Sequence, residues 1–66
     1  MRINLKIFRL KKQMTQTEIS NKLKCSRATY AAIENGVRSG RMKFWNDLQN
    51  VFDLENSEMW ELMKDE

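Results

Sequence analysis

An all-α domain is the fold class this sequence predicts, and three observations predict it. Two glycines and no proline leave little material for tight β-hairpins. The many Lys, Glu, Leu, Met and Gln residues favour helix. Apolar residues recur at three- and four-residue intervals, as in Trp45, Leu48 and Phe52, which is the period of one helix face. At 66 residues the chain has room for one domain, residues 1–66. A domain of this size buries only roughly 60% of the surface its unfolded chain exposes, so nearly every apolar side chain must serve the core.

Five helices follow in order. The first spans about Asn4 to Gln13, with Leu5 and Phe8 on one stripe and Ile3, Ile7 and Leu10 nearby; its start is poorly marked. The second is marked by Thr15 and Glu18, whose three-residue spacing lets each side chain bond the other's backbone amide. Met14 and Ile19 flank this capping box as a hydrophobic staple, which fixes the angle at which the chain comes in. This helix ends near Leu23 or Lys24. A third begins almost at once, with Ser26 as N-cap and Cys25 and Tyr30 as a second staple. It runs from Arg27 to Glu34 or Asn35 and stops at Gly36, which lacks the Cβ that disfavours a left-handed C-cap. After a loop over residues 37–41, a fourth helix places Trp45, Leu48 and Phe52 on a core stripe, joined by Phe44 and Val51. The last runs from about Asn56, its N-cap, to Lys64 and presents Met59, Trp60, Leu62 and Met63, with acids between them facing water.

Charge is polarised along the chain. Up to Arg41 the bases are Arg2, Lys6, Arg9, Lys11, Lys12, Lys22, Lys24, Arg27, Arg38 and Arg41, set against Glu18 and Glu34, a balance of +8. From Met42 onward Lys43 and Lys64 face seven acids, a balance of −5, within a total of +3. A small protein divided this way has an electrostatic front and back, and its basic side attracts a polyanion at long range. Cys25 has no second cysteine and the chain has no histidine, so neither an internal disulfide nor a Cys/His zinc site can be assembled. No metal or cofactor is expected. Without histidine or clustered carboxylates on the basic half there is no acid/base pair, so no enzymatic activity is expected either. The apolar runs are too short to span a bilayer and no export signal is visible, which predicts a cytoplasmic protein.

From Gln16 to Glu34 the chain reads QTEISNKLKCSRATYAAIE, and the demands of two helices crossing through a short turn can be checked residue by residue. Ile19, Leu23, Cys25, Tyr30 and Ile33 stand where such a crossing buries side chains, and Ser20 is small enough to let the helices approach. Arg27, Ala28, Thr29, Ala31 and Ala32 give the third helix an outward face of short or donor side chains. On these residues the chain resembles the phage repressor and Cro family, also called xenobiotic-response-element-type helix-turn-helix proteins, over about Leu5 to Leu54. The resemblance is carried by Arg9, the Thr15-Gln16-x-Glu18 start, Ser20, Ser26 and the closing Glu34-Asn35-Gly36. There are departures as well. Lys24 stands where the family has a turn glycine, Tyr30 replaces an aliphatic residue, and no proline or serine cap precedes the fourth helix near Gly40 and Arg41. Ala28 and Ala32 occupy positions where relatives often carry Gln, Arg or Lys.

The resemblance implies a sequence-specific transcriptional regulator, a repressor, that reads the major groove of double-stranded DNA with the helix from Arg27 to Asn35. Arg27, Ala28, Thr29 and Ala32 would meet base edges. The Arg27 guanidinium can span guanine O6 and N7, the alanines can touch only thymine methyls, and Thr29 can make a single hydrogen bond. Gln16, Lys22, Asn35, Arg38 and Arg41 would meet phosphates, Gln16 from a helix N-terminus whose amides also attract anions. Arg9 and Glu34 would pair between the first and third helices and hold the motif's angle. One such domain reads few base pairs, so a homodimer on DNA is expected, with Met59, Trp60, Leu62 and Met63 at its interface. Packing of these residues on Trp45 and Phe52 within one chain is the competing expectation. A rival reading keeps the repressor fold but gives it a protein partner, bound by the acidic, aromatic C-terminal half as in an antirepressor or antitoxin-like module. Ala28 and Ala32 favour that rival; the +8 half, with Gln16, Arg27 and Asn35, favours DNA.

Overall fold

The computed structural model describes residues 1–65; Glu66, counted among the acids above, lies outside them. Among the described residues the helices are α1 (Ile3–Lys11), α2 (Gln16–Lys22), α3 (Arg27–Glu34), α4 (Met42–Phe52) and α5 (Asn56–Met63). None of them is long and apolar enough to cross a membrane.

Local chemistry sets where these helices begin. At α2 the Thr15 hydroxyl accepts from the Glu18 amide at 3.1 Å, and the Glu18 carboxylate accepts from the Thr15 amide at 2.9 Å. That backbone hydrogen bond also holds the Glu18 carboxyl below its ordinary pKa. At α3 the Ser26 hydroxyl accepts from the Thr29 amide at 3.0 Å. The start of α4 follows an extended Arg41 with no side-chain cap. The start of α5 corrects the sequence expectation, because Glu55 rather than Asn56 is the N-cap. Its amide donates to the Glu58 carboxylate at 3.0 Å, while Asn56 is the first helical residue and accepts from the Gln49 side chain at 2.8 Å.

One device ends the first four helices. A residue in the left-handed region follows each: Gln13 (φ 58°), Lys24 (φ 56°), Gly36 (φ 83°) and Asp53 (φ 54°). At the first three, this residue and the next donate back in the paired Schellman pattern. Gln13 and Met14 bond the carbonyls of Leu10 and Arg9, Lys24 and Cys25 those of Asn21 and Ser20, and Gly36 and Val37 those of Ile33 and Ala32. The device closes α1 at Lys11, short of the expected Gln13. It also makes Lys24 adopt the conformation for which glycine is suited, at a strain of about 1–2 kcal/mol.

The core joins Leu5, Ile19, Leu23, Tyr30, Ile33, Phe44, Trp45, Leu48, Met59 and Leu62. Met14 and Cys25, the outer members of the two staples, pack against it, and Phe8 meets Phe52 edge-on at 5.1 Å. Three α1 residues read as neighbours of the core stripe, Ile3, Ile7 and Leu10, are exposed, as is Val51 in α4. In α5 the correction matters for assembly. Met59 and Leu62 are each 7% exposed and dock the helix on their own chain, which leaves them little surface for a partner; Met63 is half-buried, and Trp60 is 70% exposed.

Candidate nucleic-acid interface

The angle of α3 is fixed by a buried ion pair. Arg9 in α1 donates from Nε to Oε2 of Glu34 at 2.9 Å and from Nη2 to Oε1 at 3.1 Å, and its Nη1 donates to the Met14 carbonyl at 2.9 Å. This two-pronged fork is the geometry that guanidinium and carboxylate share best. Burial by itself would raise the Glu34 carboxyl, but the Arg9 hydrogen bonds and charge, helped by the neighbouring Tyr30 hydroxyl and by Gln16, outweigh it and hold the group below its ordinary 4.5. The Glu34 hydrogen bond in turn raises the Arg9 guanidinium, against the opposing effect of burial. The Tyr30 hydroxyl is buried beside the pair without a hydrogen bond of ordinary geometry, and burial followed by the neighbouring Glu34 pushes its pKa far up.

Gln16, read as a phosphate ligand, is also drawn into this network. Its Nε2 donates to Glu34 Oε1 at 3.3 Å, because a buried carboxylate oxygen binds any donor within reach. An amide nitrogen carries two hydrogens, so one N–H is committed and the second remains.

On α3 the inward face is Tyr30, Ile33 and Glu34, all buried. Ala28, Ala32 and Asn35, four and then three residues apart, form a ridge on the opposite face. Ala28 and Asn35 are exposed and Ala32 is half-buried. Arg27 is exposed at the first turn. Thr29 is half-buried at the other edge, and its hydroxyl oxygen accepts from Ser26 at 2.8 Å, leaving its own hydrogen to donate. Lys22, Arg38 and Arg41 are exposed.

Beside α3 runs a cleft of about 430 Å³ whose wall brings Thr29 together with Lys24, Arg38, Arg41 and Lys43. Lys43 carries no signal of this position in the sequence, since it falls in the acidic half, where it pairs with Asp47 at 2.8 Å. Conversely, Arg2 and Arg9 are counted in the basic half yet are only 7% and 8% exposed, so the surface charge is smaller than the sequence suggests. Cys25 lines the same cleft, where burial foremost raises its thiol pKa and makes it a packing group rather than a thiolate. The arrangement is a short-side-chain ridge on one helix, with an arginine at its leading end and loop cations beside it.

The helix-turn-helix family model matches residues 5–55, more than three quarters of the chain. No curated protein and no solved structure matches the sequence.

Proposed function

From the premise that the chain belongs to the Cro/C1-type helix-turn-helix family of DNA-binding transcriptional regulators, we propose that it is a repressor that inserts α3 into the major groove as a homodimer. The observation that carries this reading is the exposed ridge of α3, led by Arg27 and flanked by the Arg38 and Arg41 loop. In this motif the N-terminal residues of the recognition helix reach base edges. Arg27 then makes the bidentate guanine contact, Ala28 and Ala32 touch thymine methyls, and Thr29 adds one hydrogen bond. Lys22, Asn35, Arg38, Arg41 and the second N–H of Gln16 hold phosphates and carry no sequence information. With so few long polar groups on the ridge, the remaining selectivity comes from DNA shape sensed by the loop arginines.

Size supports the dimer. The molecule measures 26 × 23 × 23 Å, whereas half-sites on one face of DNA lie about 34 Å apart, so two copies are needed to fill two successive major grooves. Trp60 and Met42, 70% and 73% exposed, line a groove between α4 and α5, and together with Met63 they offer the apolar surface for pairing.

The test is the binding of Arg27→Ala and Lys22→Ala to a library of single-base changes in a selected duplex. Arg27→Ala should cost about 1–3 kcal/mol on the best site and flatten preference at one base pair per half-site, while Lys22→Ala should weaken all sequences alike. Equal loss on every sequence for Arg27→Ala would make it a phosphate contact. Retention of no DNA by a folded protein would favour a module that binds a protein partner.

A further inference from the structure

Arg2 precedes α1 and reads as one more surface base, yet its side chain is nearly all inside. The guanidinium makes four hydrogen bonds to backbone carbonyls. Nε donates to Met63 at 3.1 Å, Nη1 to Ile33 at 2.6 Å and to Arg38 at 2.8 Å, and Nη2 to Ser39 at 3.3 Å. The Arg2 amide donates to the Glu34 carbonyl at 2.8 Å, and the guanidinium carbon lies 5.5 Å from the centre of the Trp45 ring. Ile33 and Glu34 close α3, and Met63 closes α5. The cation therefore stands where the negative ends of two helix dipoles converge, against last-turn carbonyls, of which that of Ile33 also accepts from the Gly36 amide.

The other two carbonyls belong to the loop between α3 and α4. Ser39 also accepts from the Trp45 indole at 3.1 Å, so Arg2 and Trp45 together tether the backbone from which the Arg38 side chain projects. A guanidinium can do this because its rigid fork reaches several acceptors at once; a lysine ammonium is a point charge and cannot span them all.

We propose that Arg2 is a positioning residue for DNA binding, holding the α3–α4 loop against the ends of α3 and α5 so that Arg38 meets the phosphate backbone, without touching DNA itself. This rests on the reading, given above, that Arg38 faces DNA. The positional work is done before DNA arrives, which lowers the ordering cost of the Arg38 contact. Loss of Arg2 should therefore act through Arg38 and not independently of it.

The experiment is a double-mutant cycle between Arg2→Met and Arg38→Ala, read as binding of the full chain to a mixed-sequence DNA duplex at low salt. It is run at a temperature where circular dichroism shows every variant fully folded. Each single variant is expected to bind about tenfold more weakly than wild type, and the double variant no more weakly than Arg38→Ala alone. Losses that add, or a folded Arg2→Met that binds like wild type beside a weakened Arg38→Ala, would overturn the proposal alone. Wild-type binding by Arg38→Ala would instead overturn the reading that the loop faces DNA, and the proposal with it. Arg2→Lys runs in the same cycle as a control for charge, and replaces Arg2→Met should that variant not fold. It keeps the cation at the two helix ends and is expected to lose about threefold, again only when Arg38 is present. Full rescue by lysine would show that charge and not tethering was at work.

Discussion

A carboxylate withdrawn from water must have its oxygens satisfied, and Glu34 meets this demand with Arg9 and Gln16. Removing Arg9 strands that charge, so Arg9→Ala should cost about 3–5 kcal/mol in urea unfolding at neutral pH. The same pair gives an acid signature. Glu34's pKa is lower folded than unfolded, so its contribution is fully present above the unfolded value near 4.5 and is lost as pH falls through the folded one. The urea midpoint should therefore be flat from neutral pH down to the ordinary carboxylate range and decline below it, with the decline shallower in Glu34→Gln. Tyr30 has the opposite status, a buried hydroxyl with no bond of ordinary geometry. Tyr30→Phe should leave stability unchanged or raise it by up to about 1 kcal/mol, which thermal melting can read. None of this was legible from spacing. Arg9 and Glu34 lie 25 residues apart and were paired only through the resemblance. Arg2 looked like any other base near a chain end, since its ligands are carbonyls and carbonyls leave no mark in a sequence.

Helix starts were easier to read than helix ends. Thr15 and Ser26 cap by side-chain chemistry, which residue type declares, and both helices begin where those residues predict. The Glu55 and Glu58 pair at α5 was hidden because asparagine, the better capping type, stands next to it. Helix ends depend on backbone conformation, and only one of the four left-handed terminators is the glycine that would announce it. That leaves a testable excess of strain at Lys24. Glycine there relieves the left-handed penalty but makes the unfolded chain freer, so Lys24→Gly should raise stability by a net of about 0.5–1 kcal/mol. A melting temperature that falls would mean that the lysine makes a compensating contact. The apolar faces of α1 and α5 show a further limit of periodicity, which cannot tell a buried Leu62 from an exposed Trp60 two positions away.

At the scale of the whole molecule, the all-α class was legible in composition, while the partition of surface from core was not. The exposed Trp60 makes the proposed pairing testable: wild type should sediment as a dimer and a folded Trp60→Ala as a monomer at the same concentration, and equal pairing would remove Trp60 from the interface. The polarity of charge has a consequence that needs no knowledge of the operator. Cations held against phosphates release condensed counterions, so affinity for a duplex must fall as salt rises. Even with Arg2 and Arg9 internal, the bases Lys22, Lys24, Arg27, Arg38 and Arg41 remain on the surface of each copy. Equilibrium binding to a selected duplex across a series of salt concentrations is the most direct measurement of whether this face meets DNA. A dimer that neutralises about eight phosphates should give a slope of log affinity against log salt near −7, and a slope near zero on that duplex would contradict the account.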